Sequence, residues 1–123
     1  MSVNIGVLVR GGGNLQEVTT AVEQLLPVQF RLEDEDSDPC FRSRGTLLNT
    51  FFVVYRADLE DVGDLILESY DWSVSLYARR TVLSLDESVA LRELIAIYLA
   101  RELTERLGWE CLVMRDMHVA IPY

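Results

Sequence analysis

The sequence predicts a single α+β domain: a two-layer sandwich with a mixed sheet of five or six strands and two helices mainly on one face, in the order β-α-β-β-β-α-β. Three observations predict it. The stretch 85–107 runs without glycine or proline as one long helix. Several shorter segments alternate apolar and polar residues with the period of two that marks strands. Half of the 123 residues are apolar, which suffices for one core and calls for no second domain.

Taken in order, Val3, Ile5, Val7 and Val9 alternate with Asn4, Gly6, Leu8 and Arg10 as a strand with one buried face. Gly11-Gly12-Gly13 ends it. Asn14 then caps a helix carrying Leu15, Val18, Val22, Leu25 and Leu26 as an apolar stripe up to Pro27. Val28, Phe30 and Leu32 form a second strand, and the β-α-β opening suits a crossover between parallel strands. The acidic run 33–38 and the segment through Gly45 read as an exposed loop, because charges this dense repel one another. Leu47 to Ala57 is apolar on both parities at Phe51, Phe52, Val53 and Val54, as in a central strand covered on both sides.

A second acidic connection follows at 58–64, and Leu65 to Ser69 is a short strand or a helical turn. Trp72, Val74, Leu76 and Ala78 then face one way along a meander strand. Ser84 and Glu87 have the spacing of a capping box, and Gly108 stands where a left-handed residue ends the long helix. Trp109, Cys111 and Val113 alternate as another strand, and the segment from His118 to Tyr123 supplies a final edge strand closed by Pro122.

The middle of the long helix, 94–100, is apolar all round, so more than one of its faces needs cover. Either the sheet and the other helix supply it, or a second copy of the chain packs there. In the second case Leu94, Ile97, Tyr98 and Arg101 form a homodimer interface.

The formal charge is -9 and lopsided: residues 1–71 hold 13 acids against 5 arginines. A negative field repels nucleic acid and anionic lipid and attracts a basic protein. Every basic residue is arginine; codon bias accounts for that more simply than bidentate phosphate binding does. No stretch has the length or apolarity of a signal peptide or membrane span, so the expected location is cytoplasmic and the expected state of Cys40 and Cys111 is reduced.

No catalytic centre, cofactor or metal site emerges. The glycine turn before the first helix could present backbone amides to an anion, but it fits neither the dinucleotide nor the phosphate-loop spacing, and the chain has no lysine. Asp34, Asp36 and Asp38 match the start of a calcium loop, yet Pro39 and Gly45 occupy its glycine and glutamate positions. His118 is the one histidine, and a dyad with Cys40 or Cys111 is the one nucleophile arrangement left open.

The strand Tyr70-Asp71-Trp72-Ser73-Val74-Ser75-Leu76 and the helix-glycine-strand segment from Ala100 to Val113 resemble the C-terminal half of small acidic bacterial immunity proteins, which accompany polymorphic toxins. The resemblance implies a cytoplasmic protein that binds one cognate toxin domain and blocks its active site. It carries over no site residue. Charge alone leads to a similar expectation: a non-catalytic face of Asp34, Glu35, Asp36, Asp38, Glu60, Asp61 and Asp64, with Phe41 as an apolar anchor, docking a basic protein. A homodimeric assembly protein and a small enzyme with an unrecognised pocket are the alternatives.

Overall fold

The computed structural model describes residues 4–35, 38–59, 61, 67–79, 83–115 and 119–122, with backbone alone at 34, 35, 38 and 119–122. The chain is an α+β sandwich. Its elements are β1 (Ile5–Arg10), α1 (Leu15–Leu25), β2 (Gln29–Glu35), β3 (Asp38–Arg44), β4 (Thr50–Arg56), β5 (Trp72–Ala78), α2 (Leu85–Leu107), β6 (Glu110–Arg115) and β7 (Val119–Pro122). The strands form one sheet in the order β2-β3-β4-β5-β1-β6-β7.

Every pairing in this sheet is antiparallel, which corrects the mixed sheet expected from the β-α-β opening. The strands β1 and β2 do run in the same direction, but three strands separate them. Helix α1 therefore carries the chain from the centre of the sheet to its edge, while α2 joins β5 to β6 across the intervening β1.

Residues 33–35 and 38–44 are strand rather than the expected loop. They belong to a hairpin in which Leu32 pairs with Phe41 and Glu33 with Cys40. Charge density does not prevent this: Glu33 lies 3.6 Å from Arg31 and 3.4 Å from Arg42, so its like-charged neighbours are offset by two guanidinium groups. The next strand begins later than the apolar run does. Leu47 and Thr50 exchange backbone hydrogen bonds around Leu48 and Asn49, both with positive φ, and β4 starts at Thr50.

Alternation sorts the sheet into two faces. Ile5, Val7, Val9, Phe52, Val54, Val74, Leu76, Cys111 and Val113 face the helices and form the main core with Val18, Val22, Ile95, Ala96, Leu99, Ala100 and Leu103. Both helices thus pack on one face, as the patterns predict. On the opposite face Leu8, Leu112 and Met114 pack beneath Leu67 and Tyr70 of the long β4–β5 connection. Asp71 N–H donates to the Val9 carbonyl, and Arg10 donates to the Ser69 hydroxyl and lies 5.4 Å from the Tyr70 ring centre, which ties that connection down.

The local signals for the helices hold in detail. Asn14 accepts from the Glu17 amide, and at α2 the Ser84 hydroxyl and Glu87 carboxylate satisfy each other's backbone N–H. Donation to the carboxylate from the Ser84 backbone N–H, and secondarily from the Ser84 hydroxyl, holds the Glu87 carboxyl below its usual range. Gly108 ends α2 at φ 71°. The apolar middle of α2 presents Ile95, Ala96, Leu99 and Ala100 to the core, while Leu94 and Tyr98 remain 65% and 45% exposed. Arg92 is the exception on the inner face. It is 5% exposed, and it donates to the Ser88 and Leu76 carbonyls.

Candidate protein-binding end

The antiparallel order decides where the two acidic connections go. Strand β2 runs toward one end of the sheet, β3 runs back, β4 runs toward that same end and β5 returns from it. The β2–β3 turn and the β4–β5 connection therefore leave the sheet side by side. Asp34, Glu35 and Asp38 occupy the tip of the hairpin, at the outer edge of this end. Asp36, Glu60 and Asp64 lie outside the described residues.

The remaining expected contacts have mixed surroundings. Asp61 is exposed, but one of its carboxylate oxygens accepts from the Leu67 and Glu68 amides at 2.9 and 3.0 Å, which makes it a brace for its own connection. Phe41 is half-buried and packs against the main core on the helix side of β3, so its ring is chiefly spent on the fold. Sequence reasoning passed over Asp58, Glu68 and Asp71, which surround Arg56 in a shallow polar depression at the same end. Their signal was membership of the connection between β4 and β5, within the acidic excess of residues 33–71.

Arg79 follows β5 at the end opposite the acidic connections, with its guanidinium 5.3 Å from the Phe51 ring centre. Arg42 lies 5.6 Å from the same ring, and Tyr77 stacks on Phe51 at 5.2 Å. Strand β5 thus carries Arg79 away from the acidic connections. Arg80 lies outside the described residues.

The glycine turn is a packing device. Gly11, Gly12 and Gly13 all have positive φ, the Trp72 indole N–H donates to the Gly13 carbonyl at 3.2 Å, and the Trp109 ring lies against Gly11 and Gly12. The Glu17 carboxylate sits where a side chain at Gly13 would be, so the N-terminus of α1 already has a carboxylate of the chain's own beside it.

Of the candidate nucleophiles, Cys111 is buried on the inner face of β6, and burial pushes its thiol up to about 11, partly offset by the neighbouring Thr104 hydroxyl. Cys40 is half-buried on the opposite face, beside Tyr55 in the adjacent strand, and His118 lies outside the described residues. Among the described residues no three of His, Cys, Asp and Glu stand close enough to hold a metal ion, and no described helix is long and apolar enough to cross a membrane.

The raised thiol has a consequence for stability. The unfolded thiol ionises from about 9 and the folded one only near 11, so the group contributes fully below pH 9 and its contribution falls as the pH rises between those values. The expected loss is about 2–3 kcal/mol across that window. Urea unfolding at pH 8 and pH 10.5 measures it, and the Cys111→Ala chain should lack this component of the pH dependence. An equal fall in both chains would assign it to other groups.

No protein-family model matches this chain, and no curated protein or solved structure is significantly similar to it.

Proposed function

We propose that this chain is a non-catalytic protein-binding domain whose acidic end docks a basic partner, in the manner of an immunity protein covering a toxin domain. The observation that carries the reading is the strand order, which sends both acidic connections off the same end of the sheet. Asp34, Glu35, Asp38, Asp58, Glu68 and Asp71 belong to that end, together with Arg10, Arg56 and, in the last turn of α2, Arg106, which is paired with Glu102. Arg10 is already engaged by Glu110 across the β1–β6 pair. Such a field steers a basic partner during encounter and sets its orientation.

The test is salt-graded capture from the native lysate, with the retained protein identified and its association rate then measured. One basic protein should bind, with an association rate that falls at least about tenfold between about 50 and about 500 mM salt. The double reversal Asp58→Arg, Glu68→Arg should weaken binding by at least about tenfold. Salt-independent association that is indifferent to the reversal would rule out the acidic end as the docking surface.

A second reading, self-association, is favoured by the outer strip of α2. Leu94 and Tyr98 are open to solvent with Arg101 beyond them, whereas Ile97 is half-buried against the core. A second copy crossing antiparallel about Leu94 would set Glu87 against Arg101 at both ends of the contact. In that reading the chain sediments as a dimer at micromolar concentration and Leu94→Glu returns it to a monomer; a wild-type monomer at that concentration removes the reading.

A further inference from the structure

The sheet face turned away from the helices contains a cavity of about 330 Å³ that meets the acidic end at Arg56 and Asp58 and extends beyond it. Its floor is built by register. Gly6 pairs with Ser75 on one side and Met114 on the other, while Leu8 pairs with Ser73, and Ser73 with Tyr55. Two adjacent strands, β5 and β1, therefore place Ser73, Ser75 and Gly6 together at the middle of this face, with the taller Tyr55 of β4 and Met114 of β6 on either side.

Two features distinguish this floor from an incidental dip. The first is Gly6, in the interior of the central strand, where a glycine weakens the strand and marks a close approach. An added Cβ there would lie 3.1 Å from the Val74 carbonyl and 3.6 Å from the Ser75 hydroxyl, so the position stays open only while it has no side chain. The second is Ser73. It is 5% exposed and lines the cavity, yet its hydroxyl makes no hydrogen bond with any described residue. Its neighbour Ser75 is satisfied by the Tyr55 hydroxyl at 2.8 Å. The Ser73 hydroxyl is open to the cavity rather than sealed in the protein, so it can donate to or accept from whatever occupies that space.

The surroundings define what would answer. Leu8, Leu59 and Met114 line the cavity with apolar surface, and Tyr55 and Tyr77 contribute aromatic rings. Arg56 and Asp58 are the charged residues of its lining and leave no net charge to favour an ionic ligand. We propose that this cavity binds a small uncharged molecule with a flat apolar body and one hydroxyl-like group, its body against Leu8, Met114 and the tyrosines and its polar end on Ser73.

The experiment is titration of the full chain with 2-naphthol, followed by amide ¹H–¹⁵N shifts, with naphthalene, 2-naphthoate and 2-naphthylmethylammonium as companions. Saturable one-to-one shifts centred on Gly6, Ser73 and Ser75 are expected for 2-naphthol. The Ser73→Ala chain should bind it about tenfold more weakly while binding naphthalene unchanged, since only the hydroxyl contact is lost. Ser75→Leu, which fills the cavity from its floor, should abolish both; the melting temperature of each variant establishes that it is folded. If Ser75→Leu does not fold, the Ser73→Ala comparison decides alone. Absence of saturable shifts at these amides, equal loss of both ligands in Ser73→Ala, or tighter binding of either charged companion would overturn the proposal.

Discussion

Truncation of Phe52 to alanine is expected to lower the free energy of unfolding by about 3–5 kcal/mol, whereas the same change one residue earlier, at Phe51, costs about 1–2 kcal/mol. The two rings are adjacent in sequence and opposite in the sheet. Phe52 is fully buried on the helix side with Val54, Val74 and Leu76, so its removal leaves a cavity in a region held by both layers. Phe51 lies half-buried on the other face between Tyr77 and two arginines, where water can replace much of what is lost. Chemical denaturation of the two variants measures the difference. Equal losses would mean that β4 is buried alike on both faces at this point, as the bare apolar run suggested.

Gly12→Ala carries the second large effect, about 2–4 kcal/mol, because two penalties coincide there. The residue has φ +77°, and an added Cβ would lie 2.9 Å from Val18 and 3.3 Å from the Trp109 ring. Val18 is fully buried, so it has little room to retreat. Gly45 separates the two contributions: its φ is +72° with nothing within 4 Å of the added carbon, and Gly45→Ala should cost only about 1 kcal/mol of backbone strain. A Gly12→Ala chain no less stable than Gly45→Ala would show that the indole is free to move and that the turn is not a packing point.

Much of this fold was legible because its signals are local. The capping box at Ser84 and Glu87, the Gly108 stop, and the alternations of β1, β5 and β6 each depend on residues within a few positions of one another. The misreadings were matters of pairing. Hydrophobic alternation in Val28, Phe30 and Leu32 identifies a strand, but nothing in it says that the strand belongs at the sheet edge rather than beside β1. The hairpin at 33–44 was hidden because its cross-strand charges compensate only once Arg31, Glu33 and Arg42 share a face.

The candidate site was legible as composition rather than as geometry. An excess of carboxylates between residues 33 and 71 marked the right segments, yet only the strand order places both connections at one end. Proximity in sequence also grouped Phe41 and Asp61 with the surface acids, although the first packs on the core and the second braces its own backbone. The cavity left a fainter trace: Gly6 within a strand, and Ser73 and Ser75 alternating on the polar side of β5. That combination gains meaning only when β1 and β5 are known to be neighbours.

The place of β1 in the middle of the sheet also bears on how the protein is made. Its two neighbours are β5 and β6, with Val9 opposite Trp72 and Cys111, so the earliest of these seven strands to be made is among the last to find its partners. A nascent chain that ends at Arg56 contains β1 and its apolar face with neither flanking strand present. Synthesis must therefore run through β6 before the central ladder can close. Termination before β6 is complete yields a fragment in which β1 lacks at least one flanking strand, a species for chaperones or proteases rather than a smaller working domain.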